Sequence, residues 1–287
     1  MLIRSVPARL FTKPLRGTAE IDLAHPLTRG LEAFYLLNED GGLALDLGPF
    51  KRHSVSITGA APAVQPGVGT RGQSLAGHSR DWTANSDLVD VGTWGFSMAQ
   101  GVTVEAWTFH DTFRSGVDER YVSKADGTGT ANHDWMLGNI ESGANRFLRC
   151  RLARPDVTAV GATNIASRTA QWIHAAATYH ADTQVERVFL DGIEDGSNTV
   201  TTPSTGATAN AVYLGNQPTS ATSGPDARIG LVGIWSRALT DDEILWRAKE
   251  PFAFLRPVVR RRYWDVPAAA GGATAFPHHY YAQQHGA

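Results

Sequence analysis

Residues 172–196, WIHAAATYHADTQVERVFLDGIEDG, decide the fold. Trp172 to Tyr179 is a short, mostly apolar run followed by His-Ala-Asp-Thr, and it reads as a strand. In the second half Val188 and Leu190 alternate with Arg187 and Phe189 until an Asp191-Gly192 pair. Asp-Gly suits a type I′ hairpin turn, whose two central residues need positive φ. The stretch therefore predicts two successive strands, the second ending in a tight hairpin turn.

The same grammar extends in both directions. Strand-like runs recur at Leu31 onward, Ser54–Thr58, Leu88–Val91, Val102–Phe109, Tyr121–Lys124, Trp135–Leu137, Arg146–Leu152, Ala211–Leu214 and Arg228–Trp235. Short strands separated by turn clusters indicate a sandwich or barrel, and 29 glycines and 14 prolines over 287 residues agree. One helix interrupts the series, in RALTDDEILWRAKEP (237–251). Thr240 is placed as N-cap with Glu243 completing a capping box, and Pro251 ends it. Ile244, Leu245 and Ala248 are expected to face the sandwich, with the charged residues in solvent.

The flanks differ from this core. Residues 1–30 mix Arg, Lys and Pro with isolated apolar residues and read as an extended N-terminal arm. The folded domain is expected over residues 31–250. Residues 251–287 form a C-terminal basic and aromatic arm with an Ala/Gly-rich tail. Net charge is −2, which gives the molecule no long-range field toward nucleic acid or an anionic surface. Cys150 is the only cysteine, so no intrachain disulfide forms, and the first residues lack the apolar run of a signal peptide. These features predict synthesis in a reducing cytoplasm.

VTVEAWTF (102–109), the 172–196 stretch, VYLGNQP (212–218) and IGLVGIWSRALTDDEI (229–244) follow one another in the order of the laminin-G-like, concanavalin A-like jelly roll, which the chain resembles over about residues 31–250. The resemblance implies an all-β, two-sheet antiparallel β-sandwich with one short C-terminal helix. AEIDLAHPLTRGLEAFYLLNEDGG (19–42) and EPFAFLRPVVRRRYW (250–264) resemble the flanks of tailed-phage virion proteins that carry this jelly roll. That second likeness implies a virion location, made in the host cytoplasm, with capsid or tail proteins as partners.

Chemistry is sparse. A retaining glycosidase needs two carboxyl groups about 5 Å apart, and no strand here carries an alternating acid string. Glu105 stands alone on its strand, at a sandwich edge or facing solvent, and His174 reads as a core histidine satisfied by a backbone carbonyl. Cys150 shares a face with Leu148 and Leu152 and reads as a buried, inert thiol. The jelly-roll resemblance makes calcium a candidate ion at a loop rim, where Asp126, Asn132 and Asp134 lie in KADGTGTANHDW (124–135); no cofactor is required. The resemblance also makes glycans candidate partners. Trp82, Trp94 and Trp135, near loops, are the candidate platforms, whereas Trp107, Trp172 and Trp235 are expected in the core.

Arg256, Arg260, Arg261 and Arg262, beside Tyr263 and Trp264, suit an assembly contact better than nucleic acid. The sequence thus predicts a non-enzymatic virion structural protein, a capsid decoration displaying its jelly roll outward and attached through its arms as a dimer or trimer. A tail, collar or fibre adhesin is the alternative, and a polysaccharide-active hydrolase or lyase the second alternative.

Overall fold

The computed structural model describes residues 10, 12–65, 77–125, 133–152, 157–201, 203, 210–217 and 223–258. The strands are β1 Ala19–Ile21, β2 Leu31–Tyr35, β3 Ser56–Thr58, β4 Ala61–Gln65, β5 Gly77–Trp82, β6 Leu88–Thr93, β7 Val102–His110, β8 Arg120–Ala125 and β9 His133–Ser142. They continue as β10 Asn145–Leu152, β11 Val157–Val160, β12 Trp172–His180, β13 Val185–Leu190, β14 Ile193–Thr199, β15 Ala211–Leu214, β16 Ala227–Trp235 and β17 Leu255–Pro257. Helix α1, Asp241–Lys249, follows β16.

Two antiparallel sheets face each other. One runs β11-β10-β9-β8-β15-β6-β3, the other β14-β13-β12-β7-β16-β5-β4 with β2 also paired to β16. This is the antiparallel jelly-roll sandwich expected from the sequence. Asp191 and Gly192 have φ of +52° and +84°, the positive pair that an Asp-Gly reversal requires between β13 and β14. Alternation along β7 divides the apolar residues between two clusters. Val102, Val104 and Ala106 point between the sheets, and Trp107 and Phe109 point outward.

The outward cluster is a second core. Leu27, Phe34, Trp107, Trp172, Trp235, Ile244, Phe252 and Phe254 form it, so that α1 and both flanks are packed onto the outer face of the larger sheet. Ala19, Ile21 and Leu27 lie within the segment expected as an N-terminal arm, and Phe252 and Phe254 lie beyond the expected boundary at residue 250. The two flanks also pair directly as a ribbon, β1 with β17, Ala19 opposite Pro257 and Ile21 opposite Leu255. The isolated apolar residues of each flank cannot bury themselves alone, and the open face of the larger sheet gives them a common site.

Helix α1 is capped as predicted, with Thr240 Oγ1 accepting from Glu243 N and Glu243 Oε2 accepting from Thr240 N. Its buried stripe is corrected. Ile244 and Ala248 are buried, Leu245 is half-buried, and Arg247, expected in solvent, is fully enclosed. The reason lies across the interface: Arg247 Nη2 donates to Glu105 Oε1 at 2.7 Å, and Glu105 Oε2 meets His174 Nε2 at 3.2 Å. Glu105 therefore occupies the middle of a sheet and not an edge, and the side-chain partner of His174 is a carboxylate and not a backbone carbonyl.

Candidate surface site at Phe50, Arg52 and Trp94

The three tryptophans expected as platforms separate. Trp82 and Trp135 are completely buried in the inter-sheet core and offer no ring face to a ligand, which corrects two of the three. Trp82 is drawn inward because Gly215, at φ +77° in the GNQP turn, leaves no side chain where the indole sits. Trp94, just past the end of β6, is half-buried and stays at the surface.

Its neighbours come from the loop between β2 and β3. The Arg52 guanidinium carbon lies 4.0 Å from the centre of the Trp94 ring and 4.5 Å from that of Phe50, which is 58 % exposed. Such cation–π packing contributes roughly 0.5–2 kcal/mol, and more as water is excluded. Arg52 Nη1 also donates to Glu32 Oε2 at 2.8 Å and to the Glu32 carbonyl at 3.1 Å. No hydrogen bond from its Nε or Nη2 reaches a described residue, and the side chain remains 17 % exposed.

The loop is held by one buried carboxylate. Asp46 Oδ1 accepts from Phe34 N and Gly48 N, and Oδ2 accepts from Arg52 N at 2.7 Å. Tyr35 adds a hydroxyl that donates to the Arg52 carbonyl at 2.5 Å. Burial first, then the Asp46 charge, pushes the Tyr35 phenol well above its ordinary value, so it stays a donor at any working pH. Lys51 takes φ +53° to complete the bend. Arg52 is thereby fixed at both ends, by backbone contacts at Asp46 and Tyr35 and by its ring contacts and Glu32 at the tip.

Beside the patch lies an open groove of about 510 Å³. Leu23, Pro26, Pro49 and Phe50 supply apolar walls, while His25, Thr28, Arg29 and Glu32 supply polar groups. Phe50 and Glu32 belong to both features, which makes groove and patch continuous. A concave apolar surface with a few convergent polar groups is the usual form of a small-ligand site. None of Phe50, Arg52 or Glu32 was singled out by sequence. The nearest signal was the PFKRH run (49–53), an aromatic and two cations after a turn.

Of the other expected site residues, the structure describes Asp134 and Arg256. Asp134 is buried in β9 with Lys124 Nζ 3.3 Å from its Oδ2, and Asn210 Nδ2 donates to the same oxygen at 3.4 Å, whereas Asp126 and Asn132 lie outside the described residues. Among the described residues no three His, Cys, Asp or Glu side chains gather as a metal site. Arg256 is at the surface in β17 with Nε donating to Glu20 at 2.9 Å, while Arg260, Arg261, Arg262, Tyr263 and Trp264 lie outside the described residues. Cys150 is buried as expected, its thiol raised well above its ordinary value by burial and by Glu186, whose Oε2 is 3.5 Å away.

A polar constellation that sequence reading missed joins the end of β7, the start of β8 and the middle of β9. Asn139 Nδ2 donates to Glu119 Oε2 at 2.6 Å and to Tyr121 Oη at 3.0 Å, and His110 Nε2 meets the same hydroxyl at 3.0 Å. Burial raises the Glu119 carboxyl and lowers the His110 imidazole to about 3, so that imidazole is neutral. Phe113 stacks on His110 at 4.2 Å and closes the cluster off. His110, Glu119, Tyr121 and Asn139 are all fully buried, so this is an interior network that ties β7, β8 and β9 together.

Residues 83–245 match the family model described as the concanavalin A-like lectin/glucanases superfamily. No curated protein matches the chain in sequence. Among solved structures, it is similar to the binding domain of Paraclostridial Mosquitocidal Protein 1, with a TM-score of 0.57 and 14 % identity over 77 % of this chain and 52 % of that one. Trypanosoma rangeli sialidase in complex with sialic acid gives a TM-score of 0.51 and 17 % identity over 77 % of this chain and 33 % of the enzyme. The receptor binding domain of botulinum neurotoxin D gives 0.51 and 11 % over 78 % and 53 %. The chain thus spans about half the length of the two binding domains and a third of the sialidase, and these likenesses concern the fold.

Proposed function

Since the chain belongs to the concanavalin A-like lectin/glucanases superfamily, we propose that it is a non-catalytic carbohydrate-recognition module whose binding surface is the Phe50, Arg52 and Trp94 patch with its adjoining groove. One observation carries the reading. Two surface aromatic rings and a positioned arginine adjoin a groove of small-ligand size, and sugar rings are recognised by flat apolar faces flanked by hydrogen-bonding groups. The test is a glycan array with the full chain, followed by titration of each hit against F50A and W94A. Binding that weakens at least tenfold in both variants, with unchanged circular dichroism, supports the site. Hits that bind both variants as well as wild type place recognition elsewhere.

A finer reading concerns where the module works. We infer that it is a structural part of a tailed-phage particle, a capsid decoration first and a tail, collar or fibre accessory second, attached through its flanks as a dimer or trimer. The feature favouring this is the ribbon. Val258 N donates to Thr18 O at 2.9 Å, so the segments expected to make the attachment start side by side. Light scattering gives the oligomer, and the identity of the adjoining genes tests the particle. Portal, capsid or tail genes support it, and a polysaccharide operon overturns it.

A further inference from the structure

We propose that the Arg52 patch selects sugars bearing a carboxylate, as in uronic or sialic acids, over their neutral counterparts. The inference rests on the carbohydrate reading above and concerns the chemistry of the same surface. Arginine has five N–H donors in a planar fork, and one edge of that fork matches the two oxygens of a carboxylate. At Arg52 the Nη1 corner is occupied by Glu32, through its carboxylate and its carbonyl. The Nε and Nη2 edge is the one left for a ligand, with no hydrogen bond to any described residue.

Position matters as much as vacancy. A flexible arginine loses rotamer entropy when it grips an anion, and an exposed ion pair gains little for that reason. Here the entropy is already lost in the free protein. Asp46 and Tyr35 fix the backbone, Trp94 and Phe50 lie against the guanidinium, and Glu32 fixes its in-plane rotation. Phe50 remains largely exposed beside the fork, so a pyranose ring can lie on apolar surface while its carboxylate meets Nε and Nη2. Arg29, exposed on the groove wall, balances the charge of the Glu32 carboxylate, to which Arg52 is paired. The charged side chains on the groove wall are thus one cation and one carboxylate, and the selectivity is carried by the geometry of the Arg52 fork beside it.

Calorimetric titration of the full chain with four defined ligands tests this. Trigalacturonic acid is paired with its carboxyl-reduced neutral form, and 3′-sialyllactose with lactose, so that the two sources of carboxylate are read separately. The expected result is an affinity for at least one acid about 10- to 100-fold above its neutral partner, as two hydrogen bonds to a charged group provide. R52K keeps the charge but loses the fork, and it is expected to collapse that ratio toward one. In nitrogen-15 spectra, the Arg52 Nε–H resonance, identified by its loss in R52K, is expected to shift with the acid and not with the neutral sugar.

Equal affinity for acid and neutral sugars, with F50A and W94A still abolishing binding, overturns the carboxylate inference and leaves the carbohydrate reading standing. A preference that persists in R52K, or an unshifted Nε–H, also overturns it by assigning the selectivity to another residue. No binding of any of the four, together with an empty glycan array, overturns both.

Discussion

Arg247 of helix α1 and Glu105 of strand β7, 142 residues apart, form an ion pair of 2.7 Å in which both side chains are fully buried. The guanidinium also donates to the Pro251 carbonyl at 2.7 Å and lies 4.5 Å from the Phe254 ring. One side chain therefore joins the helix, the sheet centre and the C-terminal flank. It is the polar centre of the outer core.

Breaking that pair leaves a buried charge uncompensated, which costs about 3–5 kcal/mol. E105Q and R247M are each expected to lower the unfolding free energy from guanidinium denaturation by that amount, and E105L/R247M to recover part of it. The acid limb supplies an independent check. Burial alone would raise the Glu105 carboxyl, but the Arg247 charge and the His174 hydrogen bond outweigh it and bring the group down to about 2. A depressed folded-state value contributes stability that is present above about 4.5 and lost as pH falls toward 2. Wild type should therefore weaken across that window by on the order of 3 kcal/mol, and E105Q, already weaker, should show a flatter profile.

Lys13 gives the opposite sign. Burial lowers its amine to about 7 against the opposing pull of Glu39, and its Nζ donates to the Gly230 carbonyl at 2.5 Å. Below about 7 the folded chain must enclose a charged amine. That cost declines as pH rises from 7 toward the ordinary value of 10.5, because only the unfolded chain still binds the proton. K13M is expected to raise the melting temperature at pH 6 and to lose that advantage by pH 10. A difference that is the same at both pH values contradicts the burial argument.

The inter-sheet framework was legible because it is written in local signals: alternation in Val102–Phe109, the Asp191-Gly192 reversal and the Thr240 capping box each act within a few residues. What was not legible depends on meetings between distant segments. β1 and β17 are three residues each and exist as a ribbon only because they pair with each other across 236 positions. Arg247 looked like a solvent-facing helix residue because its partner lies on β7, and the PFKRH run around Arg52 was too weak a pattern to mark a site, since Asp46, Glu32, Phe50 and Trp94 converge on Arg52 only in space.

Trp82 shows how such a meeting moves a residue from candidate ligand platform to core. Gly215 has no side chain and sits at φ +77°, and a methyl group there would overlap the Trp82 indole. G215A therefore incurs both backbone strain and a clash with a completely buried ring, together about 2–4 kcal/mol. Urea titration should show that loss, with ligand binding at the Trp94 patch of the folded fraction retained. A nearly neutral G215A would mean that Trp82 has room to turn, and would return it to the surface candidates.

The flanks make the last prediction, because they are both attachment candidates and part of the core. Truncation after Glu250 removes Phe252, Phe254 and Leu255, all buried in the outer cluster with Phe34 and Trp235, and takes away the Pro251 carbonyl that Arg247 uses. Loss of buried phenylalanines costs about 3–5 kcal/mol each, comparable to the whole stability of many domains. Truncation after Val258 instead keeps the ribbon, since Val258 N still reaches Thr18 O. The 1–250 chain is thus expected to be insoluble or to melt at least 15 °C lower, and the 1–258 chain to melt within a few degrees of the full chain. An attachment assay is interpretable only with the longer form. If 1–250 is as stable as 1–258, the outer cluster does not hold the sheet, and the flanks are free for assembly over their whole length.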